Sequence, residues 1–147
     1  MAEQTFRATA VTTATPAEAW TSLQRPETWE GIAGVDDVTG ATHTDDGQLA
    51  AFQFAVTVGG MKYRGKASVA RTIQPEFMQL DLETSELIAV IEVALGPTES
   101  GTDVSIDLTV RTRSFLTGMF FSAIADAIGR GLPAATATFT GRLKPAD

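Results

Sequence analysis

The feature that most constrains the fold is a long central stretch in which apolar and polar residues alternate one by one. Within residues 103–110, valine, isoleucine and leucine at even positions alternate with aspartate, serine and threonine at odd positions. Alternation with a period of two places successive side chains on opposite faces of a β-strand. Short turns divide the stretch into six predicted strands: 35–44, 48–58, 61–73, 76–84, 87–95 and 102–112. Short connections predict antiparallel hairpins, and the alternation predicts one apolar and one polar sheet face.

Helical signals flank this stretch. A further Thr- and Val-rich strand is predicted at 4–13, followed by Thr15-Pro16-Ala17-Glu18, which has the residues of a capped helix start. Pro26 is predicted to open a second short helix, and apolar residues every three or four positions predict a long helix over 115–143. The pattern therefore predicts an α+β fold: a curved antiparallel sheet of about seven strands around a long C-terminal helix, with two short helices after the first strand.

Composition limits the chemistry. The 147 residues suit one domain, 1–147, and the net charge of −7 disfavours binding to nucleic acid. There is no cysteine and only one histidine, His43, so we expect no metal site and no cofactor. The sequence shows no leader and no apolar run long enough to span a bilayer, so we expect a cytoplasmic protein.

The apolar sheet face is predicted to enclose a cavity with the long helix. Several inward positions are small, which leaves volume for a ligand; these are Gly65, Ala67, Ala89, Ala123 and Ala127. The predicted lining residues are Phe54, Val56, Tyr63, Val69, Ile91, Leu108, Phe120, Ile124 and Ile128. Trp29, on the second short helix, is expected over the cavity entrance. The alternative is that these residues simply pack against one another as a closed core.

Tyr63 and Arg71 are the polar residues that share the inward parity in the 61–73 strand. Tyr63 is predicted to donate a hydrogen bond to a ligand, and Arg71 to hold an anionic group or to lie at the pocket mouth. The alternative interpretation has Tyr63 bonded to a backbone carbonyl and Arg71 paired with a surface acid. We assign no residue as catalytic.

The order of these elements carries a resemblance. The run Thr15-Pro16-Ala17-Glu18-Ala19-Trp20, then Pro26-Glu27-Thr28-Trp29, six strands and a long helix resembles the helix-grip domains of the START/polyketide-cyclase (SRPBCC) superfamily, over nearly the whole chain. The stretches 26–35, 56–66 and 118–128 look closest to the CoxG-like family, which is associated with carbon monoxide dehydrogenase. The resemblance implies a cavity for lipids, isoprenoids, polyketides or other hydrophobic molecules, and it implies no particular reaction.

Three hypotheses follow from the sequence. The leading one is a non-enzymatic protein that binds, and by extension transports, a small hydrophobic ligand. The second is an enzyme of the polyketide cyclase or hydrolase type that uses Tyr63 and Arg71 to polarise a carbonyl. The third is a CoxG-like accessory module of a molybdenum-hydroxylase assembly, or a homodimer, with the polar sheet face or Met119-Phe120-Phe121 as the docking patch.

Overall fold

The computed structural model describes residues 3–32, 35–58, 60–112 and 121–143, with the backbone alone for residue 58 and residues 121–129. The elements follow in the order β1 (Glu3–Thr12), α1 (Pro16–Leu23), a 3-10 helix (Pro26–Trp29), β2 (Asp36–His43), β3 (Leu49–Val58), β4 (Met61–Ile73), β5 (Phe77–Thr84), β6 (Leu87–Thr98), β7 (Gly101–Thr112) and α2 (Phe121–Gly141).

The start of α1 has the predicted capping chemistry. The hydroxyl of Thr15 accepts a hydrogen bond from the backbone N–H of Glu18 at 3.2 Å, and the Glu18 carboxylate accepts one from the N–H of Thr15 at 2.9 Å. Pro16 occupies the first turn, where its missing N–H costs no intrahelical bond. The buried residues of α1 include Ala19, Trp20 and Leu23, as the helical spacing predicts.

The seven strands form one antiparallel sheet in the order β1-β7-β6-β5-β4-β3-β2. Consecutive strands from β2 to β7 pair with one another, and β7 also pairs with β1, which forms one edge of the sheet. The predicted α+β fold, with a long C-terminal helix on an antiparallel sheet, is confirmed. The second short helix, predicted to run from Glu27 to about Ile32, is a single 3-10 segment that ends at Trp29.

The core lies between the inward sheet face and the helices. On β7 the even-numbered residues Val104, Ile106, Leu108 and Val110 are buried, and the intervening residues are more exposed. Helix α2 packs on β1 and β7, and its described buried face carries Leu132 and Phe139, with Leu143 just past its end. The Thr12 hydroxyl donates to the backbone carbonyl of Leu143 at 2.7 Å and ties the end of the helix to β1.

Candidate ligand-binding site

A row of apolar side chains crosses the inward face of the sheet. Strand pairing places Val69 opposite Leu80, Leu80 opposite Ile91, Ile91 opposite Leu108, and Leu108 opposite Phe6. Ile91 and Leu108 are fully buried, whereas Val69 and Phe6, toward the two ends of the row, are half-buried. The register therefore brings three of the predicted lining residues into one continuous apolar row.

A second group lies on the same face toward the β3–β4 hairpin. Val56 pairs with Tyr63, and Phe54 pairs with Gly65. A Cβ at Gly65 would lie 2.8 Å from Cζ of Phe54, so the aromatic ring already fills the space beside this glycine. The prediction that Gly65 leaves volume for a ligand is therefore wrong, because the neighbouring strand supplies the side chain that the glycine lacks.

Some residues on the inward face of the sheet are not fully buried. Ala89 lies on β6 between Leu82 and Val110, which are 4 % and 2 % exposed, yet Ala89 itself is only half-buried. Tyr63 and Val69 are likewise half-buried although they pack against the core. These inward residues are therefore not fully covered by the layer that packs against the sheet.

Tyr63 contributes a polar group to this inward face. Its hydroxyl makes no hydrogen bond with any of the residues that the structure describes. The structure therefore does not support the alternative interpretation, in which the Tyr63 hydroxyl bonds a backbone carbonyl, for any carbonyl of the described residues. A phenol of this kind both donates and accepts, so it suits a polar group of a ligand.

The prediction that Arg71 faces inward is wrong. The β4–β5 register shifts between Val69 and Arg71, so Arg71 pairs with Gln79 rather than with a buried residue. A β-bulge adds one residue and reverses the alternation after it. Arg71 is consequently exposed, with its guanidinium 4.8 Å from the centre of the Phe77 ring.

The bulge also separates the two polar residues of the enzyme hypothesis. Tyr63 and Arg71 are eight positions apart on β4, a separation of about 26 Å along a strand, and they lie on opposite faces. Two groups so placed do not act on the same carbonyl, because polarising hydrogen bonds require contact within about 3 Å.

Trp29 is a second correction. It is fully buried rather than placed over an entrance, and its indole N–H donates to the carbonyl of Leu23 at 3.0 Å. Its ring packs against Phe139 of α2, with centroids 5.2 Å apart and planes tilted by 55°. Trp29 thus joins the short helix to the long one and belongs to the core.

Three predicted lining residues are not placed. Phe120 lies outside the described residues, and the side chains of Ile124 and Ile128 fall in the part of α2 described by its backbone alone. Their contribution to the cavity stays a prediction, as does the docking patch at Met119-Phe120-Phe121.

Sequence reasoning missed two threonines on α2. Thr136 and Thr140 are 0 % and 3 % exposed, and both lie on the face of the helix that carries Leu132 and Phe139. Their spacing from Leu132 is four and eight residues, which is helical. That spacing was the available signal, but threonine is polar and does not count toward an apolar stripe.

A separate groove lies on the outer surface beside the 3-10 helix. It has a volume of about 360 Å³ and is lined by Arg25, Glu27, Thr28, Glu30 and Arg142. Nη1 of Arg142 donates to the backbone carbonyls of Glu27 and Thr28, each at 3.4 Å, and to that of Glu30. The guanidinium therefore holds the end of the C-terminal helix against the 3-10 segment, and this charged lining does not suit an apolar ligand.

Charge is confined to the surface of the described chain. The buried polar side chains there are all neutral, being those of Ser22, Gln24, Thr28, Thr84, Thr102, Thr112, Thr136 and Thr140. Among the described residues, two surface pairs shift pKa values: Arg7, bonded to Asp107 at 2.6 Å, lowers the pKa of that carboxyl, and Lys62 does the same for Asp37.

The described residues include no group of histidine and carboxylate side chains arranged to hold a metal ion. Nε2 of His43 lies 3.0 Å from the backbone carbonyl of Gln24, to which it donates. Within the described ranges no helix combines the length and apolar character that crossing a bilayer requires.

No protein-family model and no curated protein sequence matches this chain. Several solved structures are similar to it. TTHA0849 from Thermus thermophilus superposes with a TM-score of 0.73 at 13 % identity, covering 95 % of this chain and 97 % of that one. A START superfamily protein from Mycobacterium smegmatis gives 0.68 at 14 % identity, with 95 % and 96 % covered. Ara h 8.0201 gives 0.56 at 10 % identity, with 97 % and 98 % covered.

These similarities define the class of fold. The chain has a START-like helix-grip fold, so the expectation about the fold is confirmed, and membership of the superfamily stays a prediction. The finer resemblance to the CoxG-like family stays a prediction.

Proposed function

We propose that this protein binds a small hydrophobic ligand, such as a lipid, isoprenoid or polyketide, between the inward face of its sheet and the long C-terminal helix. The observation that carries the proposal is the accessible surface left on inward residues, above all Ala89 in the middle of β6. A closed core would bury this position as completely as it buries Leu82 and Val110 on either side.

The chemistry of the interior supports the same function. The row from Val69 to Leu108 is apolar, and the buried polar side chains of the described residues are neutral. Apolar ligand surface placed there gains about 25 cal/mol per Å² removed from water. A phenol, that of Tyr63, packs half-buried against the same core, and it can orient a polar group of the ligand.

The fold comparison gives independent support at a coarser level. The START superfamily protein from Mycobacterium smegmatis shares the architecture over almost its whole length. The sequence resemblance to helix-grip domains implies a hydrophobic cavity, and the accessible inward surface lies where such a cavity would be.

The proposal is tested by placing a larger side chain at Ala89, where the ligand is proposed to bind. In Ala89→Phe a ring is placed on the inward face of β6; the matched control, Ala94→Phe, adds the same ring on the same strand at an exposed position. Binding of the fluorescent apolar probe Nile red is measured by titration. Thermal unfolding is followed in parallel for both variants and for the unmodified protein.

The two readouts separate a cavity from a closed core. With a cavity, Ala89→Phe folds, loses stability by less than about 1 kcal/mol and reduces Nile red affinity at least about ten-fold, whereas Ala94→Phe does neither. With a closed core, the unmodified protein takes up no probe, and Ala89→Phe is destabilised by about 1–3 kcal/mol through overpacking. If the probe binds, native mass spectrometry of protein purified from its own cells would identify any passenger by mass.

A further inference from the structure

A small apolar patch lies on the outer face of the sheet, opposite the face that carries the candidate site. Strand pairing places Ile73 of β4 beside Phe77 of β5, and Phe77 beside Ala94 of β6. Phe77 alternates with the fully buried Met78, which places the patch on the outer face. Ile73 is 53 % exposed, Ala94 is exposed and Phe77 is half-buried. Contact with another apolar surface would remove this patch from water.

Two opposite charges flank the patch. Arg71 of β4 and Glu92 of β6 both pair with Gln79 of β5, one from each side. Their row is the outer-face row next to the apolar patch, because Gln79 is two positions from Phe77 on the same strand. Adjacent strands are about 4.8 Å apart, so the backbones of Arg71 and Glu92 are about 10 Å apart, with β5 midway between them.

These two charges have no ion-pair partner in the described part of the chain. The Arg71 guanidinium lies 4.8 Å from the centre of the Phe77 ring and forms no ion pair with a described residue. Glu92 pairs across the sheet with Asp107, whose carboxylate already accepts two hydrogen bonds from Arg7, of 2.6 and 3.0 Å. Among the described residues Glu92 likewise has no cation bonded to it.

The arrangement is complementary to itself. A two-fold axis that runs along β5, just above its outer face, exchanges β4 and β6 between two copies, because these strands flank β5. Arg71 of each copy then faces Glu92 of the other copy, and Ile73 of each faces Ala94 of the other. The two Phe77 rings meet at the axis. Such an axis also aligns the strands of the two sheets, as face-to-face sheet packing requires.

We propose that this outer-face patch, formed by Arg71, Ile73, Phe77, Glu92 and Ala94, is the contact of a homodimer with two-fold symmetry. Closed two-fold dimers are the commonest oligomers, and arginine and aromatic residues are enriched at protein interfaces. Each dimer contains two Arg71–Glu92 contacts, which fix the register of the two sheets. The patch is smaller than the about 20–30 residues per partner of a standard interface, so the dimer is weak. The inference is independent of the proposed function, which concerns the opposite face.

The experiment measures the dimerisation constant by sedimentation equilibrium, over a concentration series that reaches the millimolar range. Arg71→Glu and Glu92→Arg each create two like-charge contacts in the dimer, and the double variant restores two opposite-charge contacts. Arg64→Glu is the matched control, since Arg64 is exposed on the same strand about 20 Å from Arg71. Thermal unfolding of each variant checks that the fold is intact.

The unmodified protein should dimerise, and its affinity should fall at least about ten-fold in each single variant at 71 or 92, because attraction becomes repulsion at both contacts. The double variant should recover most of the lost affinity. An equimolar mixture of Arg71→Glu and Glu92→Arg should form a mixed dimer, since each of its two contacts joins a cation to an anion. Arg64→Glu should stay within about two-fold of the unmodified value, because its distance from the contact exceeds the screening length of the solution.

Three results would overturn the inference. If the unmodified protein is monomeric throughout the series, the patch is not a homodimer contact. If the protein dimerises and both single variants dimerise equally well, the copies meet through another surface. If the mixture associates no more strongly than its two components do alone, Arg71 and Glu92 do not face each other across a two-fold axis.

Discussion

Replacing Gly65 by alanine tests the tightest approach between strands in the candidate site. Gly65 lies on β4, between Phe54 of β3 and Thr84 of β5. An added Cβ would lie 2.8 Å from Cζ of Phe54 and 2.9 Å from Cγ2 of Thr84, and it would also meet the backbone carbonyl oxygen of Glu83. The two side chains can turn aside, but the carbonyl moves only if β5 moves with it.

The magnitude follows from two opposing effects. Forcing an extra methyl group into a packed position costs about 1–3 kcal/mol, and the backbone contact places Gly65→Ala in the upper part of that range. Replacing a glycine within a strand gains about 0.5–1 kcal/mol, because the unfolded chain loses conformational freedom. The expected net loss is about 2 kcal/mol, which lowers the unfolding temperature of a chain of this size by about 4–8 °C.

The assay is urea unfolding followed by tryptophan fluorescence, since Trp20 and Trp29 are both buried and report loss of the core. Gly96→Ala is the control, because Gly96 also lies in a strand, and a Cβ there meets nothing within 4 Å. Gly96→Ala should be as stable as the unmodified protein or slightly more stable. If Gly65→Ala shows the same stability as Gly96→Ala, the close approach of the three strands at Gly65 is refuted.

Two further predictions concern charged groups outside the proposed site. Arg71→Ala should leave Nile red affinity within about two-fold of the unmodified value, since the bulge turns Arg71 away from the inward face. An affinity loss of about ten-fold in the same titration would show that Arg71 belongs to the binding site. Arg7 lowers the pKa of Asp107 in the folded chain, so the pair contributes stability above the usual aspartate pKa of about 4 and loses it as the pH falls through the lower folded value. Urea midpoints at neutral and strongly acidic pH should therefore differ less for Asp107→Asn than for the unmodified protein; an equal difference would show that the exposed pair contributes nothing.

Much of the fold could be predicted because it depends on local pattern. Alternation with a period of two identified the strands to within a few residues, and Thr15-Pro16-Ala17-Glu18 identified the start of α1. Both signals are properties of neighbouring residues, so they need no knowledge of what lies opposite. The antiparallel order likewise follows from short connections, each of which leaves consecutive strands side by side.

The position of individual site residues was decided across strands and between layers. The bulge after Val69 is a property of the β4–β5 register, and it moved Arg71 to the outer face although its parity in the sequence is inward. Phe54 fills the space beside Gly65 because β3 brings the two together, and Trp29 is buried because Phe139, far along the chain, packs against it.

The sequence by itself thus determined which segments form strands and helices and which sheet face is apolar. Only the tertiary structure decided where that face is filled and where it is open. Packing depends on the volumes of residues distant in the chain, so neither the incomplete burial of Ala89 nor the full burial of Thr136 and Thr140 could be identified from local pattern alone.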